Sequence, residues 1–323
     1  MSKHIKNWLS GLRYKFSDFG LRRYSVVEDP SCKNGEKLLI KMGNFDKTYL
    51  RGEGERVGVL DTGVDYLHEE IQGRVDAVSF TPNDSSEAYD FAGHGTFMVG
   101  QVIGKTFGVA PMATCLSCKV LYGDGRDSNL HEFEKSLEKA ITYACQSGCG
   151  VISMSLGSPH RSKLVEDALN EAVSMGVIPI SSAGNEGLRG SPYKSYPASF
   201  IDCISVGSAD QFGYPSWFST SGHGKNVLEQ PEVAIASYNM DTGILPDNRY
   251  GVMTGTSTSC PVVAGVALLW REKMRKENKM PEGGNVMNKF REWLHSTCED
   301  TNKNGWDNEL GFGVLRLKPW ESL

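Results

Sequence analysis

Residues 251–274 read GVMTGTSTSCPVVAGVALLWREKM, a polar cluster followed by a long apolar run. From Val262 to Trp270 the run is apolar on every side, which is typical of a helix buried in the middle of a domain. Pro261 fits the first turn of such a helix, because a backbone N–H has no intrahelical partner there. The hydroxyl and thiol residues at 254–260 match an N-cap, but they also lie where the positive end of a helix stabilises an alkoxide or thiolate. Position alone therefore leaves a structural and a catalytic interpretation open.

Seven short apolar runs alternate with helical patterns on both sides of this stretch. In the helical patterns, 131–148 and 162–176, apolar residues recur three and four apart and a glycine follows the last turn. Such alternation favours a parallel sheet with helices on both faces. We therefore predict an α/β domain with three layers and a mostly parallel seven-stranded sheet. The predicted strands are 56–61, 75–80, 115–121, 150–156, 176–183, 202–209 and 232–237.

Size and charge narrow the class of protein. The chain has 323 residues, enough for one large α/β domain, and we predict such a domain at 50–323 after an N-terminal extension at 1–49. The net charge is -5, from 34 Lys+Arg and 39 Asp+Glu, so we expect no nucleic-acid partner. No apolar run has the length of a transmembrane helix, and the first residues lack the apolar core of a secretory signal. We expect a soluble, cytoplasmic protein.

Eight cysteines lie mostly inside apolar segments and not in a regularly spaced framework. We interpret them as reduced core thiols, with pairing as the alternative. Two close pairs, Cys115 with Cys118 and Cys145 with Cys149, raise a zinc site as a further alternative. Residues three apart in a strand point to opposite faces, which disfavours the first pair as ligands of one ion.

Four residues of suitable chemistry follow predicted strands or begin helices. Asp61 ends one strand, Asn185 follows another, His94 lies between two glycines before an apolar run, and Ser257 begins the buried helix. Each alone is typical of a cap or a turn. Because ligands of such sheets bind at the carboxyl ends of the strands, we expect the four to meet there. Together they supply a hydroxyl, an imidazole, a carboxylate and an amide, the groups that acyl transfer needs.

Five segments around these residues resemble the subtilisin-like serine proteases, or subtilases. They are VLDTGVD at Asp61, GHGT at His94, ISMSLGS at Ser155, SSAGNEG at Asn185 and GTSTSCPVVAG at Ser257. The connecting pieces GVAPMA, YPASF, CISVGSAD and WFSTSG stand in the expected order, so the resemblance covers roughly residues 50–318. It implies a subtilisin-like fold and a serine endopeptidase that binds its polypeptide substrate in an extended conformation.

The resemblance also implies roles for individual residues. Ser257 attacks the peptide carbonyl, His94 transfers the proton and Asp61 orients His94, while Asn185 and the Ser257 N–H stabilise the oxyanion. The rival nucleophile Cys260 is one turn deeper and is expected to be inert. The segments 155–157 and 123–127 are expected to pair with the substrate from two sides. A third segment, 182–196 with Glu186 near its rim, is expected to enclose the side chain before the scissile bond. The substrate-binding residues so implied are Ser155, Leu156, Gly157, Gly123, Gly125, Ser182 and Gly184.

Three departures from the family pattern bear on metals and packing. The stretch 102–111, VIGKTFGVAP, is too short for the loop that carries a strong calcium site in many secreted subtilases, so we expect no metal cofactor. Residues 300–311 imitate the start of a calcium loop, but Gly311 stands at the position of the last carboxylate ligand. A polar turn is the preferred interpretation there, with a weak calcium site as the alternative. Phe97 replaces a common histidine and is expected to face the core.

The segment 3–16 has apolar residues at helical spacing among basic ones, which predicts a short amphipathic helix. We expect it to pack on the domain. The alternatives are a blocker lying across the active site and a weak contact with a partner or an anionic membrane surface.

Two other functions are compatible with parts of the pattern. A catalytically silent binding domain would need a lesion at Asp61, His94, Asn185 or Ser257, and each of these positions carries the required residue. An α/β-hydrolase esterase would need a second glycine after the nucleophile and a serine that precedes the histidine in the chain. The sequence provides neither, which favours the protease.

Overall fold

The computed structural model describes residues 25–28, 48–82, 88–122, 129–187, 194–222, 230–237, 241–302 and 304–316. The amphipathic pattern at 3–16 and the predicted substrate residues Gly123 and Gly125 lie outside this part of the chain. The described residues form five α helices, which are α1 (His94–Ile103), α2 (Leu130–Gln146), α3 (Lys163–Ser174), α4 (Thr256–Lys276) and α5 (Asn285–Thr297).

The seven predicted strands are all present and form one sheet in which every neighbouring pair is parallel. Their order across the sheet is 233–236, 204–209, 178–182, 151–154, 56–61, 114–119 and 75–79. Most of their residues are buried on both faces, which explains why they read as nearly continuous apolar runs. The strands are β2 (Arg56–Asp61), β3 (Val75–Ser79), β4 (Thr114–Lys119), β5 (Val151–Met154), β6 (Ile178–Ser182), β7 (Ile204–Ala209) and β8 (Val233–Ala236).

Two short strands extend this sheet beyond the seven that we predicted. These are β11 (Cys298–Glu299) and β12 (Val314–Leu315); β12 is parallel to β8, and β11 is antiparallel to β12. The sheet of the described residues therefore has nine strands, with the seven predicted ones as its parallel body. Strands of two residues carry no readable period, so the pattern analysis did not detect them.

Helices cover both faces of the sheet and give the predicted three layers. The buried residues of α1, α4 and α5 belong to one hydrophobic cluster, and those of α2 and α3 belong to another. All residues of α4 from Thr256 to Trp270 are buried, which confirms the prediction of a central helix. None of the described helices is both long and apolar enough to cross a membrane.

A second, three-stranded antiparallel sheet lies beside the large one. It consists of β1 (Ser25–Glu28), β10 (Arg249–Thr254) and β9 (Asp241–Leu245), with β10 in the centre. Ser25 pairs with Thr254 and Glu28 pairs with Gly251. A strand from the predicted N-terminal extension is thus hydrogen-bonded to the strand that leads directly into α4.

The two cysteine pairs occupy the positions that the strand and helix periods predict. Cys115 packs in the cluster under α1 and α4, whereas Cys118 and Cys149 pack in the cluster under α2 and α3. Among the described residues, no group of three or more His, Cys, Asp or Glu side chains is placed to hold a metal ion, so the zinc alternative finds no site there. Burial raises the pKa of the thiols of Cys145 and Cys149 to about 11.

Candidate active site

The strand order reverses at β2, because the chain runs from β2 toward β4 and β3 on one side and then returns to β5 on the other. Open α/β sheets bind ligands in the crevice at the carboxyl end of such a switch point. Asp61 is the last residue of β2, and Ser155 follows the last residue of β5. The topology therefore places two of the predicted residues at this crevice.

A hydrogen bond of 2.7 Å joins His94 Nδ1 to Asp61 Oδ1, and both side chains are fully buried. The Thr62 N–H donates to the same carboxylate oxygen at 2.8 Å. An ionised carboxylate only accepts hydrogen bonds, so the ring proton is on Nδ1 and Nε2 is the basic nitrogen. This is the arrangement that a general base requires.

Glycines allow the two segments that carry this pair to approach each other. Gly93, which caps α1, has φ 81°, a left-handed conformation that glycine adopts without strain. A Cβ atom on Gly95 would lie 2.1 Å from the backbone oxygen of Gly63. The first turn of α1 therefore packs directly on the turn after β2, and no larger residue fits at position 95.

Ser257 begins the central helix as its second residue and is 6% exposed. The preceding N-cap, Gly255, has φ 151°, again within the range that favours glycine. The Ser155 hydroxyl donates to the Ser257 carbonyl at 2.7 Å, which connects the end of β5 to the head of α4. Helices α1 and α4 pack against each other, so the elements that carry His94 and Ser257 are neighbours.

Thr256 fixes the orientation of the Asn185 amide. Asn185 Oδ1 accepts the Thr256 N–H and the Thr256 hydroxyl, each at 2.9 Å. The Thr256 hydroxyl oxygen in turn accepts the Gly184 N–H at 3.2 Å. The side-chain oxygen of Asn185 therefore faces Thr256, and its NH₂ group is left to donate on the other side.

A pocket open to solvent lies beside Ser257, and the empty space within it and at its mouth is about 370 Å³. The predicted residues Ser155, Leu156, Gly157, Ser182 and Gly184 all line it, together with Asn185 and Ser257. The sequence did not place Ser158, Pro159 and Thr256 in the wall, because a motif does not tell which of its residues and neighbours face a pocket. Ser195 also lines the pocket, and it lies in the segment 182–196 that we expected to enclose a substrate side chain.

The rival nucleophile Cys260 is not among the described residues that line the pocket. It is fully buried, and its sulfur lies 3.5 Å from both the Ser153 hydroxyl and the Ile180 carbonyl oxygen. Burial raises the pKa of the Cys260 thiol to about 11. A thiol that stays protonated near neutral pH is a poor nucleophile.

The two segments considered for calcium are tight turns. In the first, the Gly108 N–H donates to the Gly104 carbonyl at 2.9 Å, and the chain folds back on the end of α1. In the second, Asp300 accepts the Gly305 N–H at 2.7 Å, and Asn302 donates to Glu309 at 2.9 Å. Phe97 is fully buried in the core, as predicted.

A carboxylate–imidazole pair at the switch point of a parallel sheet, beside a pocket with a serine at a helix N-terminus, defines the class of hydrolases that use a serine nucleophile. Comparison with known proteins agrees with that class and narrows it. The family model described as "Peptidase_S8: Subtilase family" matches residues 52–313. The chain belongs to the subtilase family, whose members are serine-type endopeptidases.

Individual relatives show how far the similarity extends. Subtilisin BL of Lederbergia lenta is 35% identical over 229 residues, which cover 69% of this chain and 78% of the relative. M-protease of Shouchella clausii (strain KSM-K16) is 36% identical over 229 residues, or 69% of this chain and 56% of the relative. Subtilisin E of Bacillus subtilis (strain 168) is 34% identical over 224 residues, which cover 68% of this chain and 55% of the relative. The chain thus spans about half the length of the last two proteins.

Proposed function

We propose that the chain hydrolyses peptide bonds with Ser257 as nucleophile, His94 as general base and acid, and Asp61 as the group that orients His94. The observation that carries this proposal is the buried 2.7 Å hydrogen bond between His94 Nδ1 and Asp61 Oδ1. It fixes the tautomer in which Nε2 can take a proton, and it stabilises the imidazolium that then forms. The position of Ser257 at the N-terminus of α4 supports its role, because the helix dipole favours developing negative charge there.

The reaction proceeds in two stages, formation of an acyl-enzyme and its hydrolysis. The Ser257 oxygen bonds to the peptide carbonyl carbon while its proton moves to His94 Nε2, and an electron pair moves onto the carbonyl oxygen. Asn185 and the Ser257 N–H donate to that oxyanion. The carbon–nitrogen bond then breaks, and His94 gives its proton to the leaving amine. Water repeats the sequence on the acyl-enzyme, which releases the carboxylic acid and restores Ser257.

The substrate proposed here is an extended polypeptide. The segment after β5, with Ser155 and Gly157, lines the pocket and offers backbone groups for an added strand. The second segment that the family resemblance implies, with Gly123 and Gly125, lies outside the described residues and belongs to the proposal on sequence grounds alone. The buried thiols support action in a reducing compartment such as the cytoplasm.

Substitution of Ser257 tests this assignment most directly. Ser257→Ala removes the attacking oxygen, so cleavage of a peptide library should fall to the background rate. Asn185→Ala should raise the barrier by about 3 kcal/mol, the value typical of one oxyanion donor in subtilisins. Cys260→Ala is the matched control from the same helix, and it should retain turnover because the thiol contributes no nucleophile. Equal cleavage by the wild type and Ser257→Ala would refute the proposal.

A further inference from the structure

The carboxylate of Asp90 receives five hydrogen bonds in the interior, four residues before His94. Its side chain is fully buried. Oδ1 accepts the Thr62 hydroxyl at 2.8 Å and the N–H groups of Ala92 and Gly93 at 3.0 and 2.9 Å. Oδ2 accepts the N–H and the hydroxyl of Thr96 at 2.7 and 2.8 Å. These donors come from both segments that carry the Asp61–His94 pair, but not from the pair itself.

Thr62 completes the connection between the two segments. Its N–H donates to Asp61, and its hydroxyl both donates to Asp90 and accepts the Gly95 N–H at 2.9 Å. Asp90 also holds Gly93, so the residues on both sides of His94 are fixed by the same small network. The network therefore sets the position of the imidazole relative to the Asp61 carboxylate.

The negative charge of Asp90 is not needed for helix capping. A serine or asparagine caps a helix without a buried charge. Burial raises the pKa of the Asp90 carboxyl above its ordinary value, the Asp61 charge raises it further, and the hydrogen bonds from Thr96 and Thr62 lower it. A raised pKa means that ionisation of Asp90 costs free energy of folding. The stability that the protonated carboxyl contributes is full below the unfolded pKa and is lost as the pH rises through the folded pKa. Stability alone therefore does not explain a carboxylate here.

We propose that Asp90 is a positioning residue for the Asp61–His94 pair. The inference rests on the proposed function. When His94 takes the Ser257 proton, a positive charge forms in a buried site, where a second fixed carboxylate stabilises it more strongly than water would. The network also limits the movement of the imidazole, and a displacement of about 1 Å in such a site costs roughly a hundredfold in rate.

Other charged and titratable groups face the same region. Asp65 lies on the turn after β2, and its N–H donates to the Thr96 hydroxyl at 3.0 Å. Lys119, at the end of β4, donates to the Tyr89 carbonyl at 2.9 Å, and the Tyr89 hydroxyl donates to Asp247 at 3.1 Å. These groups remain in every variant considered below, so a change in pH dependence can be assigned to Asp90.

Kinetics of two variants test the proposal. Asp90→Asn and Thr62→Val should each lower kcat about a hundredfold with KM changed less than about threefold, because the imidazole loses its fixed position. In Asp90→Asn the acid limb of the kcat/KM profile should also move to lower pH, since one negative charge no longer favours the protonated imidazole. Thr62→Ser keeps the hydroxyl and should restore kcat to within about threefold of wild type.

Glu272→Gln is the matched structural control. Glu272 is 1% exposed and accepts the Arg51 and Gly52 N–H groups at 2.9 and 2.6 Å, near the other end of α4 from Ser257. Its loss should lower the melting temperature and leave kcat and the pH profile unchanged. If folded Asp90→Asn and Thr62→Val keep wild-type kcat, or if Thr62→Ser fails to restore it, the inference is wrong. If Asp90→Asn does not fold, the two Thr62 variants decide the outcome. Activity in Ser257→Ala would instead overturn the proposed function.

Discussion

Glu186 gives the pocket beside Ser257 its electrostatic character. It is 2% exposed, and it is the only charged residue among the described residues that line the cavity. A buried carboxylate attracts a cationic side chain more strongly than one on an open surface. If the proposed function is correct, this pocket holds the residue before the scissile bond, and we expect that residue to be the part of the substrate most sensitive to Glu186.

Replacement of Glu186 should change the preference for that substrate residue. Glu186→Gln keeps the shape and removes the charge, so the ratio of kcat/KM for lysine over leucine before the scissile bond should fall about five- to tenfold. Paired fluorogenic peptides that differ only at that residue measure the ratio. An unchanged ratio, with both peptides still cleaved, would show that the Glu186 carboxylate does not reach the bound side chain.

The sequence indicated the residues that we propose carry the chemistry, but not the residues that support them. Asp61, His94, Asn185 and Ser257 stand at strand ends or helix starts, positions that a pattern of apolar runs locates. The link between Thr62 and Asp90 spans 28 positions and depends on how closely two turns approach. A residue-type pattern holds no information on that distance. The available signal was an aspartate just before a helix start, which is typical of an N-cap.

At the level of elements, burial on both faces made the seven parallel strands readable. The five residues of β6, for example, are all buried, so the strand stands out as a continuous run. Strands β9 and β10 of the smaller sheet contain polar residues and glycine, and they gave no comparable run. The apolar positions of α5, such as Val286, Phe290 and Leu294, recur at helical spacing, so its signal was present and was not used.

The turn after α1 leads to a prediction about metal ions. A Cβ atom on Gly108 would lie 2.4 Å from the Gly104 nitrogen, so the two glycines are in contact and the turn encloses no space for a cation. Addition of EDTA should therefore leave the melting temperature of Ser257→Ala, used to prevent self-digestion, within about 2 °C of its value in calcium. A larger rise with calcium, lost in Asp300→Asn, would contradict this and assign a site to the loop at 300–311.

At the scale of the whole molecule, a strand from the predicted extension at 1–49 is part of a sheet of the folded domain. Strand β1 is hydrogen-bonded along β10, and β10 continues through Gly255 into Ser257. A strand that is covered on both edges is held more firmly than an edge strand. The N-terminal region is thus connected through the backbone to the start of the central helix.

Two truncations separate the contribution of β1 from that of the residues before it. A chain that starts at Ser25 keeps β1 but loses the segment 3–16, which we expect to pack on the domain, so it should melt slightly below the wild type. A chain that starts at Asp29 loses the hydrogen bonds of β1 and should melt about 4 °C lower. Thermal melts in the Ser257→Ala background provide the measurement. Equal melting of all three chains would show that β1 adds nothing to stability, and faster peptide cleavage by the active Ser25 chain would favour the blocker alternative for 3–16.

The wall of the pocket beside Ser257 is built largely from serine and glycine, so its shape, and with it the choice of substrate, can be changed by substitution. At Gly157 an added methyl group would meet only the tip of the Ser195 side chain, 2.2 Å away, and shortening that partner would make room for it. At Gly184 the backbone itself, with φ 104°, resists any such enlargement. One side of the pocket can therefore be reshaped by a pair of substitutions, at Gly157 and Ser195, while the side next to Asn185 stays constant.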